Sequence, residues 1–208
     1  MVRPTEYSSV QSRILHYAQE IGWIYIPPLE AEKRRGFDIS AVSPREQAKN
    51  ASRFFTDTIF NKVIQFNPNF KDKKEDLLRL LDSPLSTIYG NRDFHQYLQG
   101  QKTFFSNEEH REFNLMLINY EHPDENIFEV TEEYYLYNGQ YANREDVVFL
   151  INGIPVVVIE CKNATKDEAL AIGIDQIRRY HRETPELMVP QQIFTTTESI
   201  GFSYGVTW

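Results

Sequence analysis

The chain has 208 residues, 41% of them hydrophobic, a net charge of -8 and one cysteine, which suffices for one good core but excludes an internal disulfide or a thiolate zinc cluster. The acidic balance argues against coating nucleic acid by bulk electrostatics, so any such contact must be local. The longest apolar stretch, Ile154 to Ile159, falls far short of a membrane span and no charged-then-apolar leader opens the chain, so a cytoplasmic protein without membrane contact is expected.

Apolar Val10, Ile14, Tyr17, Ala18 and Ile21 recur at helical spacing and predict a first helix over Glu6 to Ile21, stopped by Gly22. Trp23 to Ile26 reads as a short strand, and the charged stretch Glu30 to Asp38 as a loop. Ser43-Pro44-Arg45-Glu46 has the pattern of a capping box with proline at the first helical position, and a long helix to about Phe66 is expected after it. Asp72 to Leu81 and Arg92 to Gln99 are the best helical pieces of the polar stretch that follows.

Beyond this the character changes. Phe113 to Tyr120, Phe128 to Tyr137, Asp146 to Ile151, Ile154 to Lys162 and Gln192 to Thr197 favour strand by their aromatic and β-branched content. Asn138-Gly139 and Asn152-Gly153 are hairpin-turn dipeptides. Lys166 to Arg182 reads as a crossover helix, which delivers its next strand parallel. The order predicts an α/β fold, a mixed central sheet flanked by helices.

The chemistry concentrates at the open end of the hairpin that runs from Asp146 to Lys162. Charges beside a β core are costly unless they bind each other or a partner. Asp146, Glu160 and the Cys161 carbonyl offer the oxygen donors that hard divalent ions such as Mg²⁺ take, and such an ion would bind a scissile phosphate and acidify water. Lys162 suits three roles there: orienting that water, deprotonating it, or stabilising charge that develops on phosphate. The alternative is a hairpin whose end charges pair only with each other. Register supplies a test, because an ideal turn pairs 151 with 154 and points Asp146 away from Glu160. The catalytic reading therefore requires a one-residue offset, from a three-residue turn pairing 150 with 154 or from a bulge close to Cys161.

The string Arg144-Glu-Asp146-Val-Val-Phe-Leu-Ile-Asn-Gly-Ile-Pro-Val-Val-Val-Ile-Glu160-Cys-Lys162 resembles the PD-(D/E)xK nucleases, and specifically the nuclease domain of the restriction (R) subunit of type I restriction-modification enzymes. Gln176-Ile-Arg-Arg-Tyr180 resembles that family's QxxxY motif on the helix after the ExK strand. Their spacing puts Gln176 and Tyr180 on one helical face, able to orient the lysine or touch the DNA backbone. The helix ending in Gly22-Trp23 resembles the family's opening segment. Where the family often carries an acidic first-helix residue this chain has Gln11, with Glu6 as a substitute. Arg178, Arg179 and Arg182 suit either phosphate contact or pairing with the helix dipole.

The resemblance implies a restriction-endonuclease-like core in a single nuclease domain over 1–208, with 27–125 a largely helical insertion and 126–208 the catalytic core. It implies Mg²⁺ as cofactor, with Mn²⁺ able to substitute, double-stranded DNA as substrate, and methyltransferase (M) and specificity (S) subunits as partners. The chain has no G-x-x-x-x-G-K-[ST] loop, so ATP would act only through a motor expected downstream of Trp208. The competing readings are a stand-alone repair or junction nuclease of the same superfamily and a catalytically inactive docking scaffold.

Overall fold

The computed structural model describes residues 10–71, 73–163, 168–198 and 200–208. Its framework is a six-stranded mixed sheet in the order β1-β4-β5-β6-β7-β8, with a separate two-stranded ribbon, β2-β3. The sheet strands are β1 (Ile24–Tyr25), β4 (Phe128–Tyr137), β5 (Ala142–Ile151), β6 (Ile154–Cys161), β7 (Ile193–Thr197) and β8 (Phe202–Val206), and the ribbon is β2 (Thr103–Ser106) and β3 (Arg111–Asn114). β4, β5 and β6 form an antiparallel meander, β7 returns parallel to β6 after the crossover, and β1 lies parallel to β4. No helix among the described residues is long and apolar enough to cross a membrane.

Helix α1 (Ser12–Glu20) ends as its glycine predicts. Gly22 takes φ +96°, and the Gly22 and Trp23 amides bond back to the Gln19 and Ala18 carbonyls, closing a Schellman motif. Leu15 and Ala18 pack on one sheet face over Val130, Val147 and Cys161. On the other face α7 (Ala169–Glu183) sets Ile177 and Tyr180 against Val158, while Ala31 and Phe55 cover Tyr134, Leu136, Val148 and Leu150. The mixed sheet is thus covered on both faces, as the order of elements predicts.

Three local expectations need correction. The charged stretch after Pro27 is helical as α2 (Pro28–Arg34), because Pro28 sits at the first helical position, where its missing amide costs nothing. The capping box at Ser43 is present with both reciprocal bonds, yet its helix α3 (Pro44–Gln47) is a single turn rather than the start of a long helix. The chain is pulled down instead: Ser52 exchanges bonds with Arg35, Phe55 donates to the Gly153 carbonyl, and Phe54 and Phe55 are fully buried before α4 (Thr56–Phe66) begins. Finally, the strand expected over 113–120 stops at Asn114. Leu115, Leu117 and Ile118 are apolar because they are buried, and their backbone is held by side-chain amides, with Asn67 bonding Met116 and Asn152 bonding the Leu117 carbonyl. Apolar content reports burial there and not strand.

Helices α5 (Lys74–Asp82) and α6 (Ile88–Leu98) complete a second core around Phe54, Ile59, Leu77, Leu81 and Phe94, which reaches the sheet through Ile154 and Val156.

Candidate active site

The hairpin β5-β6 carries the site, and its register decides whether the charged groups meet. Ile151 pairs with Ile154 across a two-residue turn in which Asn152 (φ +53°) and Gly153 (φ +80°) are both left-handed. A Cβ on Gly153 would lie 2.7 Å from the Phe55 carbonyl oxygen, so glycine serves both the turn and the close approach. The offset enters further along: Leu150 pairs with Pro155 but Phe149 with Val157, leaving Val156 as the extra residue of a bulge. The one-residue offset is therefore present, but it lies at neither of the two expected places. Pro155 was the available signal, since proline inside a central strand marks a bulge.

The consequence is convergence. The Lys162 ammonium lies 2.6 Å from Glu160 Oε1, 2.7 Å from the Cys161 carbonyl oxygen and 3.7 Å from Asp146 Oδ2. Asp146 Oδ2 also accepts the Cys161 amide at 2.7 Å. Glu160 is fully buried and Lys162 nearly so, whereas the Asp146 side chain is 20% exposed and gives the cluster its opening. Burial pushes the Glu160 carboxyl well above the usual carboxylate range, the neighbouring Asp146 charge adds to the shift, and Lys162 opposes it. The Cys161 side chain points into the core beneath α1.

Helix α7 delivers the two residues of the QxxxY pattern to the same place. The Tyr180 hydroxyl accepts from Gln176 Nε2 at 2.7 Å, and its single hydrogen is shared between the Arg144 carbonyl (2.8 Å) and Glu160 Oε2 (3.1 Å). Burial raises the Tyr180 phenol strongly, so it remains a donor. Arg178, Arg179 and Arg182 lie on the exposed side of α7, where Arg178 pairs with Asp175 and Arg179 with Glu183.

The first helix also contributes. Gln11 is buried, and its Nε2 donates to the Asp146 carbonyl (3.0 Å), Glu132 Oε2 (3.0 Å) and Glu133 Oε1 (3.2 Å). Glu6 lies outside the described residues. Glu132 and Glu133 are acidic neighbours that sequence reading missed, because β4 reaches the site only through strand pairing, which leaves no spacing to detect.

As a ligand set, two carboxylates and a carbonyl oxygen suit a hard divalent ion, and the ammonium already gathers those same oxygens around a positive charge. Among the described residues no group of three or more His, Cys, Asp or Glu side chains could hold a metal, so a cation here would depend on the carbonyl as its third protein donor.

The family model "Type I restriction enzyme R protein N terminus" matches residues 3–206. Over 207 residues, 93% of this chain, the sequence is 25% identical to the type I restriction enzyme HindI endonuclease subunit of Haemophilus influenzae, of which it covers 18%. Over 100 residues, 46% of this chain, it is 37% identical to a Methanocaldococcus jannaschii protein named "Putative type I restriction enzyme MjaVIIP endonuclease subunit", of which it covers 8%. The chain thus spans less than a fifth of the length of these curated relatives. With nearly its whole length matched, the chain belongs to the type I restriction enzyme R protein N-terminus family.

Proposed function

We infer that this chain is the DNA-cutting domain of a type I restriction enzyme R subunit and hydrolyses phosphodiester bonds at the Asp146, Glu160, Lys162 centre. The observation that carries the reading is the meeting of two carboxylates, a carbonyl and an ammonium at a bulged hairpin, in a chain of a family whose relatives are named endonuclease subunits.

Asp146, Glu160 and the Cys161 carbonyl would hold Mg²⁺, or Mn²⁺ in its place. When bound, such an ion draws charge from the scissile phosphate and strengthens water as a nucleophile. The chain's own residues do the rest. Lys162 has to leave the centre of the three oxygens, and its ammonium is then placed to orient water or to stabilise negative charge on the phosphate. Tyr180 keeps Glu160 in place by donating to its second oxygen, and Gln176 holds Tyr180. A carboxylate ligates a metal in its ionised form, so the upward shift of Glu160 makes protons compete with metal loading, which is favoured as pH rises.

Arg178, Arg179 and Arg182 would touch DNA phosphates and not bases, leaving sequence choice to a specificity subunit. A single domain over 1–208 fits this role, with methyltransferase and specificity subunits as partners, ATP consumed by a motor elsewhere in the R subunit, and a cytoplasmic location. The test is Mg²⁺-dependent cleavage by the reassembled complex. Asp146→Ala is expected to abolish cutting while ATP hydrolysis persists, and unchanged cutting would overturn the assignment.

A further inference from the structure

The sheet does not place Asp146 by itself. The β5-β6 ladder ends at Val147 with Ile159, one residue short of it. The β4-β5 ladder pairs Glu132 with Val147 and Tyr134 with Glu145, and skips Glu133 and Asp146. Glu133 is left-handed, with φ +55°, a conformation that side chains other than Gly, Asn and Asp adopt only under constraint.

This turn reverses the alternation of β4. Val130 packs with α1, whereas Tyr134 and Leu136, although also even-numbered, pack on the opposite face with Ala31 and Phe55. A regular strand would keep all three on one side. At the switch, Gln11 bonds the Asp146 carbonyl together with the Glu132 and Glu133 carboxylates. Glu132 is held from its other oxygen by the Tyr25 hydroxyl at 2.6 Å, and Glu133 from its other oxygen by Arg144 at 2.7 Å.

We propose that Gln11 and the left-handed turn at Glu133 form the positioning device for Asp146, holding its backbone outside the regular ladder so that its carboxylate faces Glu160 and Lys162. Gln11 and Glu133 are positioning residues and touch no substrate. The inference rests on the divalent-cation reading of the site, and it divides the work between an amide that grips the Asp146 carbonyl and a backbone turn that spaces the strands.

Mn²⁺ binding to the 208-residue chain, followed by electron paramagnetic resonance beside thermal melts, tests it with four variants. Asp146→Ala is expected to lose the site. Gln11→Met keeps the side-chain length without the donor and is expected to bind Mn²⁺ at least about 10-fold more weakly. Glu133→Val, which resists the left-handed region, is expected to weaken binding similarly. Glu133→Gly also lacks the carboxylate but accepts the turn, so it is expected to stay within about twofold of the parent and to melt at or above it. Weaker Mn²⁺ binding by Glu133→Val at temperatures where its melt shows the chain fully folded separates positioning from loss of stability.

If Gln11→Met and Glu133→Val bind Mn²⁺ like the parent while Asp146→Ala does not, the positioning device is refuted and the metal reading stands. Equal weakening in Glu133→Gly and Glu133→Val would refute the turn as the operative feature. If the parent binds no Mn²⁺, or Asp146→Ala binds it equally, the metal reading fails and this inference fails with it.

Discussion

Two buried ionic clusters flank Asp146, and they differ in whether a charged member reaches solvent. On one side Glu160, Lys162 and Tyr180 converge with the Cys161 carbonyl, and the partly exposed Asp146 opens the group to solvent. On the other, Glu145 is fully buried, both its oxygens accept from Gln191 Nε2, and Arg35 lies 3.8 Å over the Tyr134 ring while donating to the Ser52 carbonyl. The second cluster joins α2, β4, β5 and the segment before β7, and it is sealed. Both hold a carboxyl that burial pushes upward. Only the first gathers several oxygens around one cation, so burial of charge alone would not have told the two apart.

The largest expected effect breaks the contrast if it fails. Lys162→Gln should lower cleavage by the reassembled complex by about 10²–10⁴-fold, the range for losing a catalytic proton-transfer or charge-stabilising group. The same change removes the cation already among the three oxygens, so Mn²⁺ affinity of the variant should rise. Affinity that falls together with cleavage would mean that the ammonium supports the metal site and does not occupy it.

Next comes Gly173, where α7 meets β7. A Cβ there would fall 1.8 Å from Thr196 Oγ1 and 2.8 Å from its Cβ. Gly173→Ala must push the helix outward at a cost of about 1–3 kcal/mol, measurable by chemical denaturation. The displacement should weaken Mn²⁺ binding as well, because Tyr180 rides on the same helix and bonds Glu160. A destabilised variant with unchanged Mn²⁺ affinity would show that α7 packs independently of the site.

Much of this was legible in the sequence for identifiable reasons. Strand β4 follows from its aromatic and β-branched content, the Gly22 stop and the Ser43 cap from local hydrogen bonding, and the meeting of Asp146, Glu160 and Lys162 from the cost of charges beside an apolar hairpin. Features that depend on distant partners were not legible. The helix read for 48–55 yields to the burial of Phe54 and Phe55, the strand read for 115–120 yields to amide clamps from Asn67 and Asn152, and the ribbon β2-β3 and edge strand β8 carry weak local patterns. At the site, Pro155 could have located the bulge. Nothing local announces that Glu133 is left-handed or that Glu145 meets Gln191, since those contacts span tens of residues.

A smaller effect sharpens the comparison from the sealed side. Burial raises the Glu145 carboxyl to about 8, with Gln191 and Arg35 only partly offsetting it. The folded state therefore holds a proton that the unfolded chain gives up near the ordinary carboxylate value. Stability from this group is fully present at low pH and is lost as pH rises toward about 8, at up to about 1.4 kcal/mol per pH unit. Denaturation of the metal-free chain across that window should show the decline, and Glu145→Gln should flatten it while leaving Mn²⁺ affinity close to the parent's. A slope that survives the substitution would assign it to the open cluster.

The smallest effect concerns the exposed arginines of α7. Arg178 and Arg179 are engaged by Asp175 and Glu183, whereas Arg182 has no ion pair among the described residues. Of the three it keeps the most available guanidinium for a phosphate, and exposed pairs or dipole contacts contribute little to folding. Arg182→Ala should change stability by less than about 0.5 kcal/mol. In salt titrations of double-stranded DNA binding by the assembled complex, the slope should fall by about one phosphate contact's worth, roughly 0.9 in log K against log salt. An unchanged slope in the Arg182 variant, with a reduced one in Arg178→Ala, would mean that DNA displaces the Asp175 pair and that the approach runs along the N-terminal part of the helix, nearer Gln176.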